Sequence, residues 1–549
     1  MSEAATNHLY REMFDFYWKS HPVAATAMGI HHYDHHYGDY SEEYREEHYQ
    51  TLRHYLNVLQ NMDESQLSED EKVDRSVLMG HFSTVLYEEV DQQALSCQPY
   101  LYPAEALQGV QSLQINYNLA LDHRVLSIIG RLKDMPRLFE QGKLNLEKNT
   151  AKISQVSVSQ ALDVLAHGKQ FLEEILPPFS GTVPHYFKDL LESNTIALRA
   201  MRDFEVFLNS LEGSASEDFA CGRAYFEYLL KEKHQLYYAM DELLEIGQHA
   251  LEHTEKQLKE VANELGSDLS WKQRIQQLKN KYPEADELRQ YYKQEAERIR
   301  DFGTEHELYT LPEQETLIIM ETPIFQRGLM PYSGYVSPAP FDGNQTGYFW
   351  VTPVQESMSE EERLDRLRAH SVYDVVLTTV HHAYPGQHLL FVRANEHPSE
   401  IRRSFPDSFF ASGWPLYCEE MLYTEELYTD LETRLFQLRD QLWRECRLIL
   451  DVQLHSGSIS YQDAVQMLVD KVGLDPLSAA SEIKRYILHP TVGCGYLLGK
   501  REIVRLRQEV EELQGEAFSL KHFHDTLLSF GILPFSLLRE QVMKHYQAR

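Results

Sequence analysis

From Met240 onward, apolar residues return every three, four or seven positions: Leu243, Leu244, Leu251, Leu258, Val261 and Leu265. That interval fits a 3.6-residue turn and predicts one helix with a buried stripe. Leu435, Leu438, Leu442, Cys446 and Ile449 predict a second, stopped by Ser456-Gly457-Ser458. Ser460 with Asp463 resembles a capping box opening the next helix, which closes near Gly473 and Pro476. Ile503, Leu506, Val510 and Leu513 mark another. Each of these stripes reads as core.

Between Leu308 and Pro353 the helical interval disappears. The runs Leu317-Ile318-Ile319-Met320 and Tyr348-Phe349-Trp350-Val351 are separated by Pro323, Pro331, Gly334, Pro338, Gly343 and Gly347. Short β-prone runs with turn residues between them predict a small antiparallel sheet. Such a sheet is either a structural insert or an edge that holds an extended peptide through main-chain hydrogen bonds. The charged stretch from Ser357 to Arg368 reads as a solvated helix start. The fold class expected is mainly α, a large multi-helix fold with a small antiparallel β insert. Its parts are a helical segment 1–304, a β-rich insert 305–355 and a helical segment 356–549, with no linker that cuts the chain cleanly.

Charge narrows the partners. With 52 Lys and Arg against 84 Asp and Glu, the net charge is −32, which repels phosphate backbones and anionic lipid. No nucleic-acid or membrane partner is expected. The first thirty residues lack a basic stretch followed by an apolar run, which argues against a secretory signal peptide. No window approaches about 18 uninterrupted apolar residues. Five cysteines, odd in number and never spaced as CxxC, point to reduced thiols and a cytoplasmic setting.

The candidate chemistry is concentrated in VVLTTVHHAYPGQHLL, from Val375 to Leu390. An apolar helix runs into His381 and His382 and meets Pro385-Gly386, where proline disfavours continuation. Neutral imidazoles suit zinc. The spacing is not that of HExxH, because Pro385 and Gly386 stand four residues after His381 and His382. Along an unbroken helix His381 and His388 would lie about 10 Å apart, too far for one zinc ion. A shared metal therefore requires the Pro-Gly break to fold the chain back. A second cluster, His31, His32, His35 and His36, reads as a solvent-facing loop. No dinucleotide loop, Walker loop or GxSxG elbow is present.

HHAYPGQHL resembles the HEAYPGHHL signature of the bacterial domain-of-unknown-function family 885. Ser412-Gly413-Trp414-Pro415-Leu416-Tyr417-Cys418-Glu419 is similar to that family's EGWALYAE. Arg485-Tyr486-Ile487 through Pro490 and Gly495 to Gly499 resemble its RYI…P…Y-x-x-G run. Phe523-His524-Asp525 to Leu533-Pro534 resembles its FHD…LL…G…LP ending. His21-Pro22, Thr26, Gly29, Tyr33-Asp34, Asp39 and Ser41 resemble its amino-terminal pattern. The resemblance spans nearly the whole chain. It implies a mostly helical zinc-peptidase-like protein of the gluzincin type, with the site in the carboxyl-terminal half.

The same resemblance exposes three departures. The family's presumed general-base glutamate is His382 here, its next histidine is Gln387, and the leading glutamate of EGWALYAE is Ser412. A neutral amide oxygen is a poor zinc ligand, and serine does not readily ionise. Zinc catalysis needs about three protein ligands and a group to move the proton. The zinc ligands that remain as candidates are His381 and His388, with Glu419 or Glu420 swinging in from the following helix. His382 could act as the base. Tyr496, His524 and Arg507 match cleft positions of the family; the first two could bond an oxyanion and the third a substrate carboxylate.

Three functional classes follow. The first is a metallopeptidase-like protein with a degenerate site that binds peptides or a small-molecule ligand in the cleft. The second is an active hydrolase of a peptide or amide bond with a rearranged shell. The third is a metal-independent enzyme in which His382, Tyr496 and His524 do acid–base work on a small metabolite.

Overall fold

The computed structural model describes residues 3–548, apart from 212, 214, 267, 328, 329, 356 and 357. It divides into two compact units, Met1–Phe219 with Ala339–Asn344, and Ala220–Pro338 with Gln345–Arg549.

The first unit is helical. Its two longest helices, Leu121–Leu146 and Phe187–Leu211, pack against each other, with Leu132, Met135 and Phe139 buried on the first and Ala197, Met201 and Phe204 on the second. Phe139 and Phe204 stack with ring centroids 4.7 Å apart. The amino-terminal histidine cluster departs from the expected solvent-facing loop. His32 and His36 are exposed, but His31 and His35 are half-buried. His31 bridges Asp34 at 3.0 Å and Asp342 at 3.1 Å, and this pairing of a base with two acids pushes it up to about 9 against the effect of burial. Long-range partners, invisible in a local run of histidines, pull the ring inward.

In the second unit, eight helices and three strands carry the chemistry: α1 (Met240–Glu264), α2 (Leu288–Glu305), α3 (Val372–His382), α4 (Gln387–Asn395), α5 (Ser408–Thr424), α6 (Leu431–Ser456), α7 (Val492–Gln514) and α8 (Leu520–Ser529), with β1 (Thr316–Glu321), β2 (Ser333–Val336) and β3 (Thr346–Val351). Helices α1, α6 and α7 follow the predicted stripes. Leu243, Leu251 and Leu258 are buried on α1, and Leu435, Leu438, Leu442, Cys446 and Ile449 on α6. Gly457 in the left-handed region closes α6. Ser460 accepts from the Asp463 N–H and caps Tyr461–Val472 as its spacing predicted. On α7, Ile503, Leu506 and Val510 are buried while Leu513 is exposed.

The sheet exists but is mixed, not antiparallel. Its order is β1-β3-β2, with β1 parallel to β3 (Thr316 opposite Thr346) and β2 antiparallel to it (Ser333 opposite Val351). The last strand in sequence, TGYFWV, is the most apolar and the most buried, so it takes the centre. Gly334 and Gly347, read as turn residues, lie inside β2 and β3.

Helices α5 and α7 approach backbone to backbone. A Cβ on Gly413 would stand 2.3 Å from the carbonyl carbon of Gly499, and one on Gly499 only 2.1 Å from the Phe409 carbonyl oxygen. Gly499→Ala must therefore push the helices apart, at a cost of about 1–3 kcal/mol. Gly181→Ala, which meets nothing within 4 Å, should stay within about 0.5 kcal/mol of the wild type. Urea unfolding midpoints of the two variants test this contrast.

Candidate functional site

Helix α3 delivers His381 and His382 on its last turn, with Val375, Leu377 and Val380 buried on its apolar face. Ser371 caps its start by accepting from the Asp374 N–H at 3.2 Å. After His382 the chain reverses, and the Gly386 N–H donates to the Val380 carbonyl at 3.1 Å. Trp414 of α5 pins the reversal by donating Nε1–H to the Pro385 carbonyl, 2.7 Å away. Pro385 lacks a backbone donor, and α4 restarts only at Gln387.

The reversal distributes the histidines among different partners. His382 Nδ1–H donates to Gln387 Oε1 at 2.7 Å. His381 Nδ1 lies 2.7 Å from Glu419 Oε1 on α5. His388 turns to the sheet, where the Tyr335 O–H donates to Nδ1 and Nε2–H donates to Glu315 Oε2, each at 2.9 Å. Glu315 also accepts from Tyr384 at 2.6 Å and from Arg300 at 2.9 Å. Burial opposes its charge, but the bonds from His388 and Tyr384 and the guanidinium of Arg300 hold its carboxyl below the ordinary value. The cradle depends on Gly347, since a Cβ there would stand 2.5 Å from His388 Nδ1.

Of the expected ligand set, His381 and Glu419 adjoin each other while both nitrogens of His388 are held by Glu315 and Tyr335. Zinc requires about three protein ligands at about 2.0–2.3 Å. Among the described residues, no group of three or more His, Cys, Asp or Glu side chains is arranged to hold a metal ion. The donors in this arrangement do not fit zinc.

Burial pushes both His381 and His382 down to about 3; Arg444 adds to the effect on the first and His381 to that on the second. Both are neutral imidazoles at neutral pH. Glu419 is 1% exposed, and burial lifts its carboxyl to about 7 against the pull of Arg444. Its Oε2 has no hydrogen-bond partner among the described residues.

The remaining sequence candidates fall in two places. His524 on α8 is fully buried, and its Nδ1–H donates to the Leu308 carbonyl at 2.7 Å. That fixes Nε2 as the acceptor for the Tyr417 hydroxyl at 2.8 Å, and Arg507 Nη1 donates to the same hydroxyl at 3.4 Å. Arg507 is also paired with Glu511 at 2.7 Å. Tyr496 sits apart from this chain, with the Arg447 guanidinium 4.8 Å from its ring centroid. Reading the sequence alone missed Glu315, Tyr335, Arg444 and Arg447. Tyr384 and Tyr417 stand inside the quoted motifs, but nothing local singled them out.

A mainly α frame with a three-stranded mixed sheet and a buried, histidine-rich polar interior defines the class of this protein. Residues 22–542 match the family described as "Bacterial protein of unknown function (DUF885)", and the chain belongs to that family. Two solved structures, of proteins provisionally called lipoproteins, are similar to it. The one from Shewanella oneidensis, of unknown function, is 20% identical, with a TM-score of 0.82 over 98% of this chain and 99% of its own. The one from Colwellia psychrerythraea is 18% identical, with a TM-score of 0.87 over 99% of both chains. At such identity the likeness shows the fold. No curated protein matches the sequence. Among the described residues, no helix is long and apolar enough to cross a membrane.

Burial pushes His524 down to about 4, whereas in the unfolded chain it titrates near about 6.5. Between those values the unfolded chain takes up a proton that the folded chain refuses, so stability falls as pH falls. The urea midpoint should drop from pH 7 to pH 5, with this residue contributing up to about 1.4 kcal/mol per pH unit. His524→Gln should flatten that slope; an unchanged slope would contradict the buried neutral ring.

Proposed function

We propose that this chain is a metallopeptidase-like binding protein whose inherited zinc site is degenerate, and that its cleft holds a peptide-like ligand without ordinary zinc-dependent turnover. One observation carries this reading: His381, His382 and His388 are each engaged by a different partner, Glu419, Gln387 and the Glu315–Tyr335 pair. A zinc ion would have to break two of these pairings, and the positions that resemble family ligands hold Gln387 and Ser412.

The peptide part of the proposal is supported by the sheet. Among the described residues, β1 is an edge strand, paired with β3. Its residues Thr316 to Ile319 line a cavity of about 440 Å³ with Lys293, Arg300 and Glu297 of α2, and with Glu315 and Tyr384. An edge strand beside a cavity offers main-chain donors and acceptors to an extended chain. A cytoplasmic setting, read from the cysteine pattern of the sequence, belongs to the same proposal.

Protein purified without chelator should contain less than stoichiometric zinc by elemental analysis. A full equivalent, lost together with peptidase activity on His381→Ala, would overturn the reading. The triple change His382→Glu, Gln387→His and Ser412→Glu should recover zinc, because it restores the residues that the family motif places there. A triple variant that folds and binds no metal would refute the assignment of these three positions.

A further inference from the structure

Helix α6 carries a second stripe opposite its leucines: Asp440, Arg444, Arg447 and Asp451, spaced by three or four residues. Such a stripe ordinarily faces water, yet here it is largely buried. The cations on and around it are matched unequally. Arg439 is held by Asp440 at 2.6 Å and Asp374 at 2.8 Å. Arg434 pairs with Glu420 at 2.9 Å, and Arg447 and Arg485 share Glu482 at 2.9 and 2.7 Å. Lys500 reaches Glu420 at 3.6 Å and donates to Gln441 at 2.8 Å.

Arg444 is different. Its side chain is 13% exposed, and its nearest carboxylate oxygen, on Asp440, is 3.8 Å away and already committed to Arg439. Among the described residues, Arg444 Nη1 donates to the Asp440 backbone carbonyl, at 3.0 Å. Its Nε is buried and has no hydrogen-bond partner among the described residues, and the same is true of the neighbouring Trp443 Nε1. Two buried donors without a protein acceptor are costly unless water or a ligand supplies one. They lie in a continuous cluster: Arg444 stands 5.6 Å from the Trp443 ring centroid, Arg447 4.6 Å from the same ring and 4.8 Å from that of Tyr496. Tyr496 is not fully buried, so solvent reaches the cluster.

We propose that Arg444, with Trp443 Nε1 and flanked by Arg447 and Tyr496, is a subsite for a carboxylate on the ligand of the cleft. This rests on the peptide-binding reading above and assigns it a substrate class, peptides with a free carboxylate. A guanidinium offers planar, paired donors that match a carboxylate, and in a water-poor interior that pair is strong. Electrostatics at Tyr496 agree with this. Burial alone would raise its phenol, but Arg447, then Arg485 and Arg444, pull it below its ordinary value. The neighbourhood is positive, in a chain whose net charge is −32. Glu419 and Glu445 do not neutralise it fully, because burial lifts each of their carboxyls to about 7.

The test uses the full-length protein and four probes: N-acetyl-dialanine as the free acid, its carboxyl-terminal amide, acetate and inorganic phosphate. Calorimetry should show the acid binding about tenfold or more tighter than the amide. Arg444→Gln should bring the acid to the amide's level and leave the amide unchanged, while Arg444→Lys, which keeps the charge, should retain part of the preference. Melting temperatures of both variants establish that they fold. Acetate should raise the midpoint of phenolate absorbance assigned to Tyr496 by difference from Tyr496→Phe, and should do so only with Arg444 present. Equal binding of acid and amide would sink the carboxylate subsite while leaving peptide binding in place. Binding of neither peptide, with the Arg444-dependent acetate signal intact, would overturn the peptide reading and keep the subsite. Silence from all four probes would overturn both. Inorganic phosphate binding through Arg444 where acetate does not would replace the carboxylate with a phosphoryl group, and so reject the assignment.

Discussion

Gly413 and Gly499 let α5 and α7 touch at backbone distance, and much of the polar interior depends on that contact. Side chains on either helix next to the two glycines are brought within reach of shared partners. Tyr417 and Glu419 follow Gly413 on one helix; Tyr496, Lys500 and Arg507 flank Gly499 on the other. From this register come the Arg507–Tyr417–His524 chain and the placement of Glu420 close to Lys500. Any side chain larger than hydrogen at either glycine would spread the helices and loosen every one of these pairings.

The interior built on this contact is unusual in its balance. A buried charge survives only when paired or neutralised, and the pairs here follow that rule: Arg439 with Asp374 and Asp440, Arg447 with Tyr486 and Glu482, Glu315 with three donors. Where pairing fails, the proton compensates, as at Glu419, Glu445 and Asp451, each lifted to about 7 by burial. Arg444 has only a long contact to Asp440, at 3.8 Å, and a guanidinium does not release its proton. That asymmetry singles it out from the other arginines of the same helix.

The histidine segment shows how motif and geometry divide the argument. HHAYPGQHL resembles a family signature closely enough to locate the site, and the match across residues 22–542 establishes the family. In the reading proposed above, His382, Gln387 and Ser412 stand where the resemblance would put a glutamate, a histidine and a second glutamate. The motif does not show where His388 points. The Pro-Gly reversal does fold the chain back, as a shared metal would need, yet it brings Gln387 to His382 and sends His388 to Glu315 and Tyr335, more than fifty residues upstream.

By itself the sequence determined what local spacing controls: the helices read from leucine intervals, the stop at Gly457, the cap at Ser460, the two outer runs of the insert that became β1 and β3, and the break at Pro385. These depend on backbone conformation and on which face of a short segment is apolar, and a window of a few turns contains that information. Tertiary structure alone decided the parallel pairing of β1 with β3, the inward turn of His31, the partners of the three site histidines and the burial of the charged stripe on α6. Those outcomes depend on groups far away in the chain. Whether an arginine stripe faces water or the interior is set by what packs over it, and no local pattern encodes that.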